Sequence, residues 1–202
     1  MPTTRDILRA SDRVLTAQLQ NLGFDRQSFG IYELADPSAQ ADGWLGLNTA
    51  TDDGVRLFPF VGVRHRGLEA RLAQLGVEGD GPSLAVQLGY LGPERKACSW
   101  IFLGEAAADN TTATELVAAV DQYALPFFER NRNLQTLVES FAEYSYVEAS
   151  AYAVPVIYSL LGQRELAEQS IDDDLAGEPG EAGSEYRDFV ERFRKSLTRD
   201  EP

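Results

Sequence analysis

The stretch Val55-Arg56-Leu57-Phe58-Pro59-Phe60-Val61-Gly62-Val63 decides how this chain folds. Leu57, Pro59, Val61 and Val63 alternate with Phe58, Phe60 and Gly62, so a strand here has two apolar faces and both call for cover. That pattern predicts a central strand. Immediately before it, Thr51-Asp52-Asp53-Gly54 ends in an Asp-Gly pair that tolerates positive φ and joins residues 44–50 to residues 55–64 as a hairpin.

Upstream, Ile7, Leu8, Val14, Leu15, Leu19 and Leu22 recur at helical spacing behind the hydroxyls of Thr3 and Thr4, and Gly23 stops the run. Residues 28–34 alternate as a strand, and residues 36–43 have loop composition. Downstream, Leu68, Leu72 and Leu75 mark a short helix closed by Gly76, and Gly79-Asp80-Gly81-Pro82 is a turn. Leu84, Val86, Leu88 and Tyr90 then alternate along residues 83–91, which the pattern pairs with residues 97–103 as a second hairpin.

From Asp109 onward the spacing is helical, with Asn110 or Thr111 as the expected cap and Pro126 as a break or kink. Further helices follow from Asn133, over about residues 148–161 and over 163–171, and Ser184 caps a last one carrying Tyr186, Phe189, Val190 and Phe193. The fold class is therefore α+β: a roughly five-stranded, mainly antiparallel sheet covered by helices, with a helical C-terminal segment. Residues 1–202 read as one domain, with sheet and covering helices in 1–143 and a helical extension in 144–202. Residues 172–183, rich in acids and glycines, read as a flexible loop.

A chain of 202 residues that is 44% hydrophobic and 25% charged has the composition of a folded globular protein. No apolar run reaches the roughly 18 residues that a spanning helix needs, and residues 1–10 carry charges where a secretory segment would be apolar. The expected setting is the cytoplasm, without membrane contact. A lone cysteine, Cys98, agrees with it, since no internal disulfide is possible. The net charge of -14 disfavours nucleic acid and favours a basic protein partner. All cationic side chains except Lys96 and Lys195 are arginine, the bias of a GC-rich bacterial coding sequence.

No motif that carries chemistry is complete in this sequence. Asp172 and Asp174 fit the first and third places of a calcium loop, but Ala176 and Gly183 stand where the fifth and twelfth ligands belong. One histidine and one cysteine cannot furnish a zinc site without a carboxylate majority, so neither metal nor cofactor is expected. Residues 76–81 have glycines without the lysine of a phosphate loop, and no serine sits in a Gly-x-Ser-x-Gly elbow. The pairs Glu139/Glu143 and Glu165/Glu168 share helix faces, as solvated helices commonly do. What stands out is Arg64-His65-Arg66, a compact basic spot at the end of the central strand of an acidic chain. With Trp44, Asn48 and Tyr90 near it, these residues form a candidate site for an anionic small ligand.

Four segments carry a resemblance: Trp44-Leu45-Gly46-Leu47-Asn48, Phe58-Pro59-Phe60-Val61-Gly62-Val63, Leu88-Gly89-Tyr90-Leu91 followed by Pro93, and Tyr123-Ala124-Leu125-Pro126-Phe127-Phe128. Over about residues 19–137 the chain resembles bacterial α+β domains found among the immunity-type proteins of polymorphic toxin systems. The resemblance implies a sheet domain capped by the helix ending in Ala-Leu-Pro-Phe-Phe, and brings no catalytic residue with it. The expected function is a non-enzymatic acidic binding protein, in its sharpest form an immunity protein neutralising a basic toxin or effector. The alternative is a small-molecule enzyme or ligand sensor built on the basic spot, and a homodimer through the last helix is compatible with either.

Overall fold

Thr3 sets the start of the first helix, α1 (Thr4–Asn21): its hydroxyl accepts the Asp6 N–H at 3.2 Å while the Asp6 carboxylate accepts the Thr3 N–H at 3.1 Å. The computed structural model describes residues 2–36, 38–51, 54–144, 150–177 and 183–199. Of residues 28–34, read as one strand, 31–34 form β2 (Ile31–Leu34), while Ser28 closes a separate preceding strand, β1 (Asp25–Ser28). Gly30, at φ 70°, makes the tight reversal between them.

The long hairpin is present as β3 (Ala41–Ala50) and β4 (Val55–His65), in register from Ala41 opposite His65 to Ala50 opposite Arg56. The sheet is antiparallel, in the order β1-β2-β3-β4-β5, with β5 (Leu84–Gln87) and β6 (Trp100–Phe102) both on β4. Here the expected second hairpin is corrected. β5 pairs with residues 60–63 and β6 with residues 55–57, so the two lie end to end along one side of β4. A short 3-10 turn at Leu88–Leu91 takes the chain off the sheet before it can pair back.

Val55, Leu57, Val61 and Val63 of β4 are buried, together with Leu45, Tyr32, Val86, Leu84 and Phe102 from the neighbouring strands. Helix α1 covers this face with α3 (Ala106–Ala119) and α4 (Leu125–Arg130); the Phe128 ring lies where a side chain at Gly43 would stand, 2.7 Å from its would-be Cβ. The opposite face is different. Phe58 and Phe60 are only half-buried, so the expectation that both faces of the central strand are covered holds for one alone.

Helix α3 begins at Ala106, earlier than Asn110, because Asp109 acts inside its first turn. The buried Asp109 carboxylate accepts the N–H groups of Leu103 at 2.9 Å and Gly104 at 3.0 Å, fixing the exit from β6. Pro126 does not end the run. A π-helical turn at Val120–Ala124 widens the helix just before it, and Pro126 then sits in the first turn of α4, where its missing N–H leaves no gap.

After α2 (Arg66–Gln74) and α5 (Leu134–Glu143), the helices α6 (Ser150–Leu160), α7 (Arg164–Gly177) and α8 (Ser184–Arg199) build a second layer. Asp172-Asp173-Asp174 lies in the last turns of α7, which corrects the loop reading for residues 172–177; residues 178–182 lie outside the described residues. The apolar face of α8 is buried within the chain: the Tyr152 ring meets Tyr186 at 5.3 Å and Phe189 at 5.0 Å. A dimer through that face would need a surface that the chain already covers.

Candidate binding site on the uncovered sheet face

Strand parity builds the site. Residues 44, 46 and 48 of β3 share a face with residues 56, 58 and 60 of β4, and the register sets Asn48 opposite Phe58 and Gly46 opposite Phe60. Over this face lies a cavity of about 480 Å³ lined by Asn48, Phe58, Phe60, Gln87, Tyr90 and Ala97. Its floor is hydrocarbon, its rim carries amide and phenol groups, and its size falls within the range of small-molecule sites.

The wall opposite β3 is the segment after the 3-10 turn, and one side chain holds it. Gln87 Nε2 donates to the Cys98 carbonyl at 2.5 Å, and Gln87 Oε1 accepts from Cys98 N at 3.3 Å and Gly89 N at 3.1 Å. Close approach is possible because residue 89 is glycine: a Cβ there would stand 2.2 Å from the Lys96 carbonyl oxygen and 2.7 Å from Cys98 Sγ. The half-buried Cys98 thiol has its pKa pushed up, chiefly by burial. Behind the same segment is a second hollow of about 310 Å³, lined among others by Leu88, Cys98, Trp100 and Tyr123.

Of the residues expected to form a site, Asn48 and Tyr90 line the cavity. Trp44 shares the face but lies over Gly46, its Cη2 2.1 Å from where a Cβ would be. The basic spot is engaged elsewhere. Arg64 donates to Glu33 at 3.3 Å and to the Asp80 carbonyl at 3.0 Å. Arg66 grips both carboxylate oxygens of Asp42, at 3.0 and 2.5 Å, and the carbonyls of Ala39 and Asp36. His65 is buried and caps α2, its Nδ1 accepting the Leu68 N–H at 3.3 Å, and burial pushes its pKa down.

Strand parity sets Phe58 and Phe60 on one face, but alternation alone does not show that this face is uncovered. Arg56 carries no motif that marks it in the sequence. Arg56 precedes Phe58 by two residues on the same face and donates from Nη1 to Ser99 Oγ at 3.3 Å.

Cys98 and His65 do not pair: Gln87, which holds Cys98, is opposite Phe60, five residues and about 17 Å of strand away from His65. Glu143 of the Glu139/Glu143 pair accepts from Arg130 and Arg95, and Glu168 accepts from Arg164. Among the described residues no group of three or more His, Cys, Asp or Glu converges on a metal position, and no helix is long and apolar enough to cross a membrane. No protein-family model, no curated protein and no solved structure matches this chain.

Proposed function

We propose that this protein works by binding and not by catalysis, with the cavity over Phe58 and Phe60 as its site. The observation that carries the proposal is the sheet face itself, where aromatic rings of the central strand stand half-open under a cavity of about 480 Å³. Apolar groups left uncovered on a folded domain mark a contact surface. What favours binding over bond making is the lining: hydrocarbon, two amides and one phenol, with no carboxylate, imidazole or thiol among those residues. The test is calorimetric titration with a compact apolar probe, 2-naphthamide. Saturable binding that Phe60→Ala weakens at least about fivefold is expected, from the apolar area removed. Absence of binding by the wild-type protein at the solubility limit of the probe would end the proposal.

A second reading has its own support, the net charge of -14 and the absence of any lysine or arginine from residue 97 to residue 129. Glu105, Glu115 and Asp121 are exposed along that run. An acidic surface of this kind suits a basic polypeptide, in line with the resemblance to immunity-type proteins, and speeds its encounter at low salt. Capture of a basic host protein that persists at low salt and is abolished by Glu115→Lys with Asp121→Lys would support it. Capture indifferent to salt and to both substitutions would remove it.

A further inference from the structure

Building on the cavity as a binding site, we infer that its ligand is an amphipathic anion, with an apolar body over Phe58 and Phe60 and a carboxylate or similar oxyanion held by Arg56. The strand geometry supplies the reach. Arg56 and Phe58 are alternate residues of β4, so their Cα atoms stand about 7 Å apart with side chains on one face, within the span of an arginine side chain. Arg56 is therefore the first cation met on leaving the cavity along the strand.

The three arginines near this face differ in what holds them. Arg64 and Arg66 are matched to Glu33 and Asp42. Among the described residues no carboxylate pairs with Arg56, whose bond is to the Ser99 hydroxyl. A guanidinium offers five N–H donors in a flat fork, so one bond to a hydroxyl leaves the pair needed for an oxyanion. Asn48, opposite Phe58, adds an amide donor on the same side. The half-buried setting of Arg56 strengthens such a bond relative to open water.

Aromatic rings also attract cations, so a cationic ligand is the competing chemistry. The lining tips the balance: among the described residues no carboxylate lines the cavity to fix a cation's charge, while Arg56 beside it repels one. Neutral apolar molecules would bind through the floor alone.

The experiment compares 2-naphthoate with its neutral amide, 2-naphthamide, by calorimetric titration at low salt. Naphthoate is expected to bind about tenfold more tightly, the increment of a charge-assisted contact at a partly wet site. Arg56→Gln should bring the two probes to within about twofold by weakening naphthoate alone, and Arg56→Lys should retain part of the preference. Phe60→Ala should weaken both probes together. Equal affinity of the two probes for the wild-type protein, or a preference that survives Arg56→Gln, would overturn the anionic assignment while leaving the cavity as a binding site. Failure of both probes to bind would overturn the assignment and the reading on which it rests.

Discussion

The side chain of Gln87 pairs with the main chain of Cys98 as a strand would, donating to its carbonyl and accepting from its N–H. This amide replaces the ladder that β5 and β6 do not form, at the point where the 3-10 turn leaves the sheet. Gln87 is buried, so its loss leaves two main-chain groups of Cys98 without partners. Gln87→Ala is expected to cost about 2–3 kcal/mol in denaturant unfolding. Reaction of the Cys98 thiol with a disulfide reagent should also accelerate in the variant, since packing of the segment over Gly89 is what screens it. Unchanged stability together with unchanged thiol reactivity would show that the wall is held by something else.

Trp44 and Gly46 make a second test of the open face. A Cβ at residue 46 would stand 2.1 Å from Trp44 Cη2, so Gly46→Ala must swing the indole aside. The contact is with a half-exposed side chain and not with main chain, so the fold survives at a cost of about 1 kcal/mol. A shift in tryptophan emission is expected, absent when Trp44 is also replaced. An unaltered spectrum would contradict the position of the ring.

The α+β class, the long hairpin and the helical second half were legible because alternation and helical spacing report burial directly. Periodicity could not report what covers a face: Phe58 and Phe60 are as apolar as Val61, and only the missing helix above them distinguishes site from core. Arg64-His65-Arg66 stands out in the sequence without being a site for a related reason. Glu33 and Asp42, which hold the two arginines, lie 31 and 24 residues away in sequence and meet them only through strand register. Gln87 was unreadable as a strut, since its partner lies beyond a turn that alternation took for strand.

His65 gives a prediction with a definite sign. Its Nδ1 accepts the hydrogen bond of the Leu68 N–H, so the neutral ring carries its hydrogen on Nε2, which is buried without a partner among the described residues. Burial lowers the folded pKa below the ordinary 6.5. The unfolded chain then takes up the proton first, so this contribution to stability is complete above pH 6.5 and declines as pH falls to the folded pKa. Below that pKa it levels off. His65→Asn keeps an acceptor for the cap but cannot titrate; its unfolding free energy should be flatter than wild type between about pH 7 and pH 5. Parallel slopes for the two proteins would show that His65 takes no part.

Phe189 tests whether α8 belongs to the fold or merely rests on it. Its ring is fully buried, 5.0 Å from Tyr152, 5.8 Å from Tyr186 and 5.8 Å from Phe193, and Arg192 Nε ties the same helix to the Leu75 carbonyl at the end of α2 at 2.6 Å. Helix α2 continues directly from β4, so that bond links the last helix to the central strand through the length of α2. Phe189→Ala should therefore cost about 3–5 kcal/mol and leave a single denaturant transition for sheet and helices together. Because the face is buried inside one chain, the midpoint should not move with protein concentration over a hundredfold range. A midpoint that rises with concentration would mean that a second copy, and not Tyr152, covers Phe189, and a separate early transition in the variant would mean that α6, α7 and α8 fold apart from the sheet.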